Sequence, residues 1–153
     1  MVNENWNQSV GCVVLKENEV LLVRHTYGSA KGKLLIPGGY CQIGEMPQDA
    51  AMRELMEETK ITATVGDLIA VRFNTETWYA VFMMKYVSGV PTSDNNENSE
   101  VLFINIYDAI THPQITDMTK RVLLMVKNKN YGLSFFEDYT ERKGKDFALY
   151  GIK

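Results

Sequence analysis

Five acids, Glu45, Asp49, Glu54, Glu57 and Glu58, fall within fourteen positions of the chain, just after the glycine pair Gly38 and Gly39. Carboxylates crowded in this way repel one another unless a cation lies among them. Oxygen donors of this kind suit hard ions such as magnesium, manganese or calcium and not zinc. Magnesium takes one or two protein carboxylates and shares the rest of its shell with water and substrate phosphates, so a phosphorylated ligand is expected. Glycine at positions 38 and 39 lets the backbone come close to such a ligand.

The element that must position these acids is a helix. Pro47 suits a first helical position, and Pro47 to Lys60 has no interior breaker. At roughly 100° per residue, Ala51, Met52, Leu55, Met56 and Thr59 share one arc, expected to be buried against a sheet. Glu54, Glu57 and Glu58 share another. Asp49, Arg53 and Glu57 are spaced by four, so Arg53 is expected to hold acids on both sides, fixing Glu57 and leaving Glu54 and Glu58 free. Glu45, in the loop before the helix, can reach back over the same ion. A merely solvated face would mix its signs all round, whereas here apolar, acidic and arginine-bearing arcs are sorted.

The segment resembles the signature of the Nudix hydrolases, Gly-x5-Glu-x7-Arg-Glu-U-x-Glu-Glu-x-Gly-U with U a bulky apolar residue. Gly39, Glu45, Arg53, Glu54, Leu55, Glu57, Glu58 and Ile61 match in register, and so long a pattern is specific. Leu35, Ile36 and Pro37 also resemble the family's approach to the glycine pair. Lys60 stands where the family has glycine, so a slightly altered helix end is expected. Gln42 stands where many relatives carry another acid, a change that would tune metal number or substrate fit.

The resemblance implies an α/β fold, an α/β/α sandwich with a mixed sheet between helices. It also implies magnesium-dependent hydrolysis of a diphosphate linkage, with manganese able to stand in. Glu54, Glu58, Glu45 and the Gly38 carbonyl would then hold the metal, Arg53 would orient Glu57, and Glu54 or Glu100 would take the proton from the attacking water. Glu100, and after it Glu97, matches the place of the loop acid that completes the site in relatives. Val20 to Tyr40 resembles members known as ADP-ribose pyrophosphatases, so ADP-ribose or a nucleotide sugar is the first expected substrate. Nucleoside triphosphates and dinucleoside polyphosphates need the same chemistry and stay open, as does a non-catalytic nucleotide-sensing module. Intact Glu54, Glu57 and Glu58 favour turnover over sensing.

The rest of the chain reads as one domain of 153 residues, with a core over about 8–127 and an extension over 128–153. The formal charge of -3 and the acidic centre argue against nucleic-acid binding. Cys12 and Cys41 lack metal-like spacing and are expected to be reduced thiols. No start like a leader and no bilayer-length apolar run is apparent, so a cytoplasmic location without membrane is expected.

Ser9 to Leu15 and Val20 to Arg24 read as a hairpin. Ile61 to Val65 and Leu68 to Phe73 read as strand around a Gly66-Asp67 turn, and Trp78 to Val87 as a further strand. Ser88 to Ser99 reads as a polar loop, followed by strand over Val101 to Ile106 and a helical turn over Tyr107 to Ile110. Thr116 should cap a helix to about Lys127 that buries Met118, Val122, Met125 and Val126. Arg24, Arg72, Trp78 and Tyr79 are the candidate substrate contacts, against plainer readings as ion pairs or packed aromatics; Trp6 is a weaker one. Lys31 and Lys33 could meet a phosphate but are more simply surface, and His112 is given no role. The extension carries Tyr131, Phe135, Phe136, Tyr139, Phe147 and Tyr150 and should pack, over a sheet edge, on a second subunit of a homodimer, or along the substrate pocket.

Overall fold

The structure, a computed structural model, describes residues 7–129, 132–137 and 148–152. Trp6, Tyr131, Tyr139 and Phe147 lie outside the described residues. Strands β1 (Gln8–Lys16) and β2 (Glu19–His25) form the expected antiparallel hairpin, with Leu15 opposite Val20. Strands β3 (Leu34–Leu35) and β4 (Gly38–Tyr40) then pair with β2 and β1 respectively. After helix α1 (Pro47–Thr59) come β5 (Thr62–Phe73) and β6 (Trp78–Ser88), and β6 lies parallel to β1. Strand β7 (Asn98–Asn105) returns antiparallel to β2. Helices α2 (Ile106–Ile110) and α3 (Asp117–Lys127) follow. The sheet is therefore mixed, ordered β3-β2-β1-β6-β5, with β4 and β7 pairing to its inner strands.

Alternation along the strands divides the core in two. Cys12, Val14, Leu21, Phe82 and Met84 pack with Ala51 and Leu55 of α1, whereas Val13, Val20, Leu22 and Val81 pack with α2 and α3. The α/β/α sandwich expected from the resemblance is the fold observed. Burying Leu55, which has no exposed surface, contributes about 2 kcal/mol. Both cysteines are free and buried. Among the described residues no helix is long and apolar enough to cross a membrane.

Three readings of α1 need correction. Its buried arc is Ala50, Ala51, Leu55, Glu58 and Thr59, while Met52 and Met56 are 39% and 41% exposed. The helix is thus turned about its axis so that Glu58 faces inward, which desolvates that carboxylate. Asp49 sits in the first turn, where the helix dipole favours an acid, and Arg53 bonds other acids. The helix end is not altered. Lys60 itself takes the left-handed conformation, at φ 63°, and its N–H donates to the Met56 carbonyl at 3.0 Å. Because a side chain is strained there, Lys60→Gly should raise stability by about 1 kcal/mol, read as a higher denaturant midpoint at unchanged slope.

Beyond α1, Gly66 and Asp67 do not turn the chain. They lie within one continuous β5 that keeps pairing with β6 and absorbs the irregularity as register shifts between Val65 and Ala70. Helix α3 has the predicted span and cap, Thr116 Oγ1 accepting from the Thr119 N–H. Its buried stripe is Thr119, Val122, Leu123 and Val126, with Met125 partly buried and Met118 turned to a cleft. The described part of the extension covers the β5 edge. Leu133 exchanges backbone bonds of 2.9 and 2.7 Å with Leu68, strands β8 (Ser134–Phe135) and β9 (Tyr150–Gly151) pair, and Tyr150 packs on Phe82 and Phe135.

Candidate active site

Arg53 is the hub of the acidic segment. Its Nε and Nη2 donate to Glu45 at 2.8 and 2.9 Å, its Nη1 to Glu54 at 2.9 Å and to Glu57 at 3.2 Å, and its Nη2 also to the Tyr40 carbonyl at 3.0 Å. Bonding to so many acids, Glu45 first, holds its proton ever more firmly. Glu45 also accepts from the Gln42 N–H at 3.1 Å. These donors, Arg53 foremost, pull its carboxyl below the usual carboxylate range. Glu45 was expected to reach back over an ion; in the structure its carboxylate is spoken for by the arginine. Glu57 is anchored as expected but mostly in solvent, its side chain 58% exposed.

Glu54 and Glu58 differ from these two. Burial raises the Glu54 carboxyl above its ordinary value even with Arg53 alongside. Burial pushes Glu58 much further, from 4.5 up to about 8, helped by the charges of Glu54, Glu97 and Asp94. Its Oε2 is buried with no hydrogen-bond partner among the described residues. A desolvated, unpaired carboxylate oxygen among other carboxylates fits a hard divalent cation. Among the described residues no three His, Cys, Asp or Glu side chains are gathered closely enough to hold a metal ion, and Arg53 bonds both Glu45 and Glu54.

The glycine pair joins this acidic end to a cleft. A Cβ on Gly39 would run into the Glu54 carboxylate, and one on Gly38 into the Val10 carbonyl. Both glycines also line a cleft of about 380 Å³ whose other walls include His25, Tyr27, Tyr40, Arg72, Tyr79 and Met118. In it the Arg72 guanidinium lies 5.4 Å from the Tyr79 ring centre, and His25 stacks on Tyr27 at 5.1 Å. Burial raises the Tyr79 hydroxyl well above its ordinary range and lowers the His25 imidazole. Gly11 leaves room for the Tyr79 ring, which a Cβ there would strike. Gly11→Ala should therefore displace Tyr79 and raise KM for a cleft ligand about tenfold while leaving divalent-ion affinity unchanged, measured by kinetics and ion titration.

Of the candidate substrate residues, Arg72 and Tyr79 line the cleft, whereas Arg24 and Trp78 do not. Arg24 bonds Glu100 at 3.2 Å, the Gly32 carbonyl at 2.8 Å and Gln114 at 2.6 Å. Trp78 follows the opposite sheet face from Tyr79 and packs edge-on against Phe73. His25, Tyr27 and Tyr40 were missed, since only the fold of β2 and β4 brings them together. His112 Nδ1 merely accepts from the Gln114 N–H at 3.0 Å.

Glu100 is not brought to the acids. It shares a face with Leu102 and Ile104, which pack on the α2 and α3 side, and it pairs there with Arg24. A bulge sets Asn98 opposite His25 and Glu100 opposite Arg24, leaving Ser99 extra. That irregularity turns Asn98 and the turn before it toward α1, and of the acids in that turn Glu97 is felt at both Glu54 and Glu58 and Asp94 at Glu58.

The sequence model of the NUDIX domain matches residues 6–131. The chain belongs to the NUDIX family. It is 33% identical over 63 residues to an ADP-ribose pyrophosphatase of Methanocaldococcus jannaschii, covering 41% of this chain and 37% of that protein. It is 38% identical over 55 residues to the 8-oxo-dGTP diphosphatase of Escherichia coli, covering 35% of this chain and 43% of that protein. The matches span only 37% and 43% of the lengths of these two curated relatives. The fold is shared with a NUDIX hydrolase from Nitrosomonas europaea, at TM-score 0.73 and 24% identity over 83% of this chain and 75% of that one.

Proposed function

We propose that this chain hydrolyses the diphosphate linkage of a nucleoside diphosphate joined to another group, with ADP-ribose or a nucleotide sugar as the first substrate class. The observation that carries this reading is the position of the glycine pair: Gly38 and Gly39 floor the cleft, and Gly39 also abuts the Glu54 carboxylate. A diphosphate crossing that floor would meet the acids, while its nucleoside lies in the cleft. Arg72 over Tyr79 offers charge to a phosphate or ribose, and the His25–Tyr27 pair offers a face to a base.

Glu54, Glu58 and the Gly38 carbonyl would hold a divalent cation, magnesium first and manganese in its place. When bound, such an ion offsets the charge of the non-bridging oxygens and acidifies water. Arg53 holds Glu54 and Glu45 in place. Glu54 or Glu97 takes a proton from the water whose oxygen attacks phosphorus, as the bond from phosphorus to the bridging oxygen breaks. Glu97 replaces Glu100 here because Glu100 is paired on the far side of the sheet.

The likeness to the 8-oxo-dGTP diphosphatase favours a second reading, hydrolysis of a nucleoside triphosphate. A panel containing ADP-ribose, a nucleotide sugar, nucleoside triphosphates and a dinucleoside polyphosphate, assayed with magnesium for phosphate-bearing products, separates the two. Cleavage of ADP-ribose or the nucleotide sugar at the highest kcat/KM is expected. Tight binding of one nucleotide with cleavage of none would replace catalysis by sensing.

A further inference from the structure

Asn98 is 1% exposed, and its Nδ2 donates to the Glu58 carbonyl at 2.9 Å, from forty positions along the chain. Its Oδ1, like Glu58 Oε2, is buried without a partner among the described residues. Core packing alone does not call for this residue, since an apolar side chain would leave no oxygen unpaired.

The turn before Asn98 is fastened on several sides. Asp94 Oδ1 accepts from the N–H groups of Asn96 and Asn98 at 2.9 and 3.1 Å, and Ser93 Oγ donates to the Asn98 carbonyl at 2.9 Å. From the end of β2, the Thr26 N–H donates to the Glu97 carbonyl at 3.1 Å and Thr26 Oγ1 to that of Asn96 at 2.6 Å. The Thr92 N–H ties the start of the segment to the Thr59 carbonyl at 3.0 Å. Asn98 ties its end to the acid-bearing turn of α1.

We propose that Asn98 is a positioning residue, which by its buried bond to the Glu58 carbonyl registers the turn carrying Glu97 against Glu54 and Glu58. Its function rests on the reading above, in which Glu97 acts at those acids. Glu97 adjoins Asn98 in sequence, so a shift of Asn98 carries Glu97 with it. The bulge at Ser99 is what makes the link possible, because regular alternation would put Asn98 on the face of Glu100 and away from α1.

The test compares Asn98→Ala, Glu97→Gln and the double variant in the full chain. The readouts are manganese affinity by titration, kcat and KM on the best substrate of the panel, and amide exchange at Thr26. Each single change should lower kcat about 10- to 100-fold, with KM moved less than about threefold and manganese bound more weakly. The double variant should fall no more than about threefold below the worse single one, because both remove one unit. Losses that multiply would overturn the proposal, as would unchanged manganese affinity in folded Asn98→Ala.

Should Asn98→Ala not fold, Thr26→Val loosens the same turn from β2 and should likewise be non-additive with Glu97→Gln; multiplying losses or no loss would sink the idea. If wild type cleaves no diphosphate, the functional reading fails by itself. The exchange data then decide: faster exchange at Thr26 in Asn98→Ala, or in Asn98→Gln if the alanine variant does not fold, upholds the clamp. Unchanged exchange removes it.

Discussion

Glu58→Gln should leave the fold intact and lower turnover of a cleavable diphosphate by about a thousandfold, roughly 4 kcal/mol of transition-state stabilisation. Gln has the shape of a protonated Glu, and the Glu58 carboxyl already prefers its neutral form, at about 8 in the folded chain. The substitution therefore removes only the charge that a divalent cation requires. Glu54→Gln should lose activity on a similar scale, since it keeps an oxygen for Arg53 but gives up its charge. Glu57→Gln, on a side chain 58% exposed, should cost less than about fivefold. Kinetics with circular dichroism on each variant checks the series. A folded Glu58→Gln protein turning over at the wild-type rate would remove Glu58 from the site.

The same carboxyl should make stability without divalent ions fall as pH rises. Its pKa in the folded protein, about 8, lies above the ordinary 4.5, so the folded state binds the proton more tightly than the unfolded one. The resulting stabilisation is complete below about pH 4.5, declines through the interval and is gone above about pH 8. For a group this buried it amounts to up to about 5 kcal/mol. Glu54 acts with the same sign. Glu45 and His25, both lowered, act in the opposite sense at the acid end, where their stabilisation is lost as pH falls. Thermal melts of metal-free protein should thus decline from pH 5 to pH 9, and Glu58→Gln should flatten most of the decline. Magnesium, which favours the ionised carboxylate, should stabilise more at pH 9 than at pH 6. A metal-free melting temperature that rises steadily over this range would contradict the burial of Glu58.

Much of this was legible in the letters because it depends on local spacing. Pro47 and the absence of breakers define α1, the three- and four-residue intervals put Glu54, Glu57 and Glu58 on neighbouring surface, and Thr116 marks the start of α3. The signature from Gly39 to Ile61 carried the family and, with it, the sandwich. Even the hairpin of β1 and β2 needed only two apolar runs and a polar turn.

What the letters left open depends on which neighbour each surface meets. Spacing places Met56 and Glu58 on nearly opposite sides of α1, and only docking of the helix on the sheet decides that Glu58 is buried and Met56 is not. Arg53 has several acids within reach of its length, and the path of the loop before α1 selects Glu45 over Asp49. Tyr79 and Trp78 are adjacent in sequence but follow opposite faces of β6. One extra residue at Ser99 separates Asn98 from the face of Glu100 and lets its side chain bond the Glu58 carbonyl of α1. The sequence alone determined the helices, the hairpin and the family, because these rest on contacts a few residues apart. The tertiary structure decided which carboxylates lose their water and which side chains meet in the cleft, since desolvation and strand register arise only when distant segments pack.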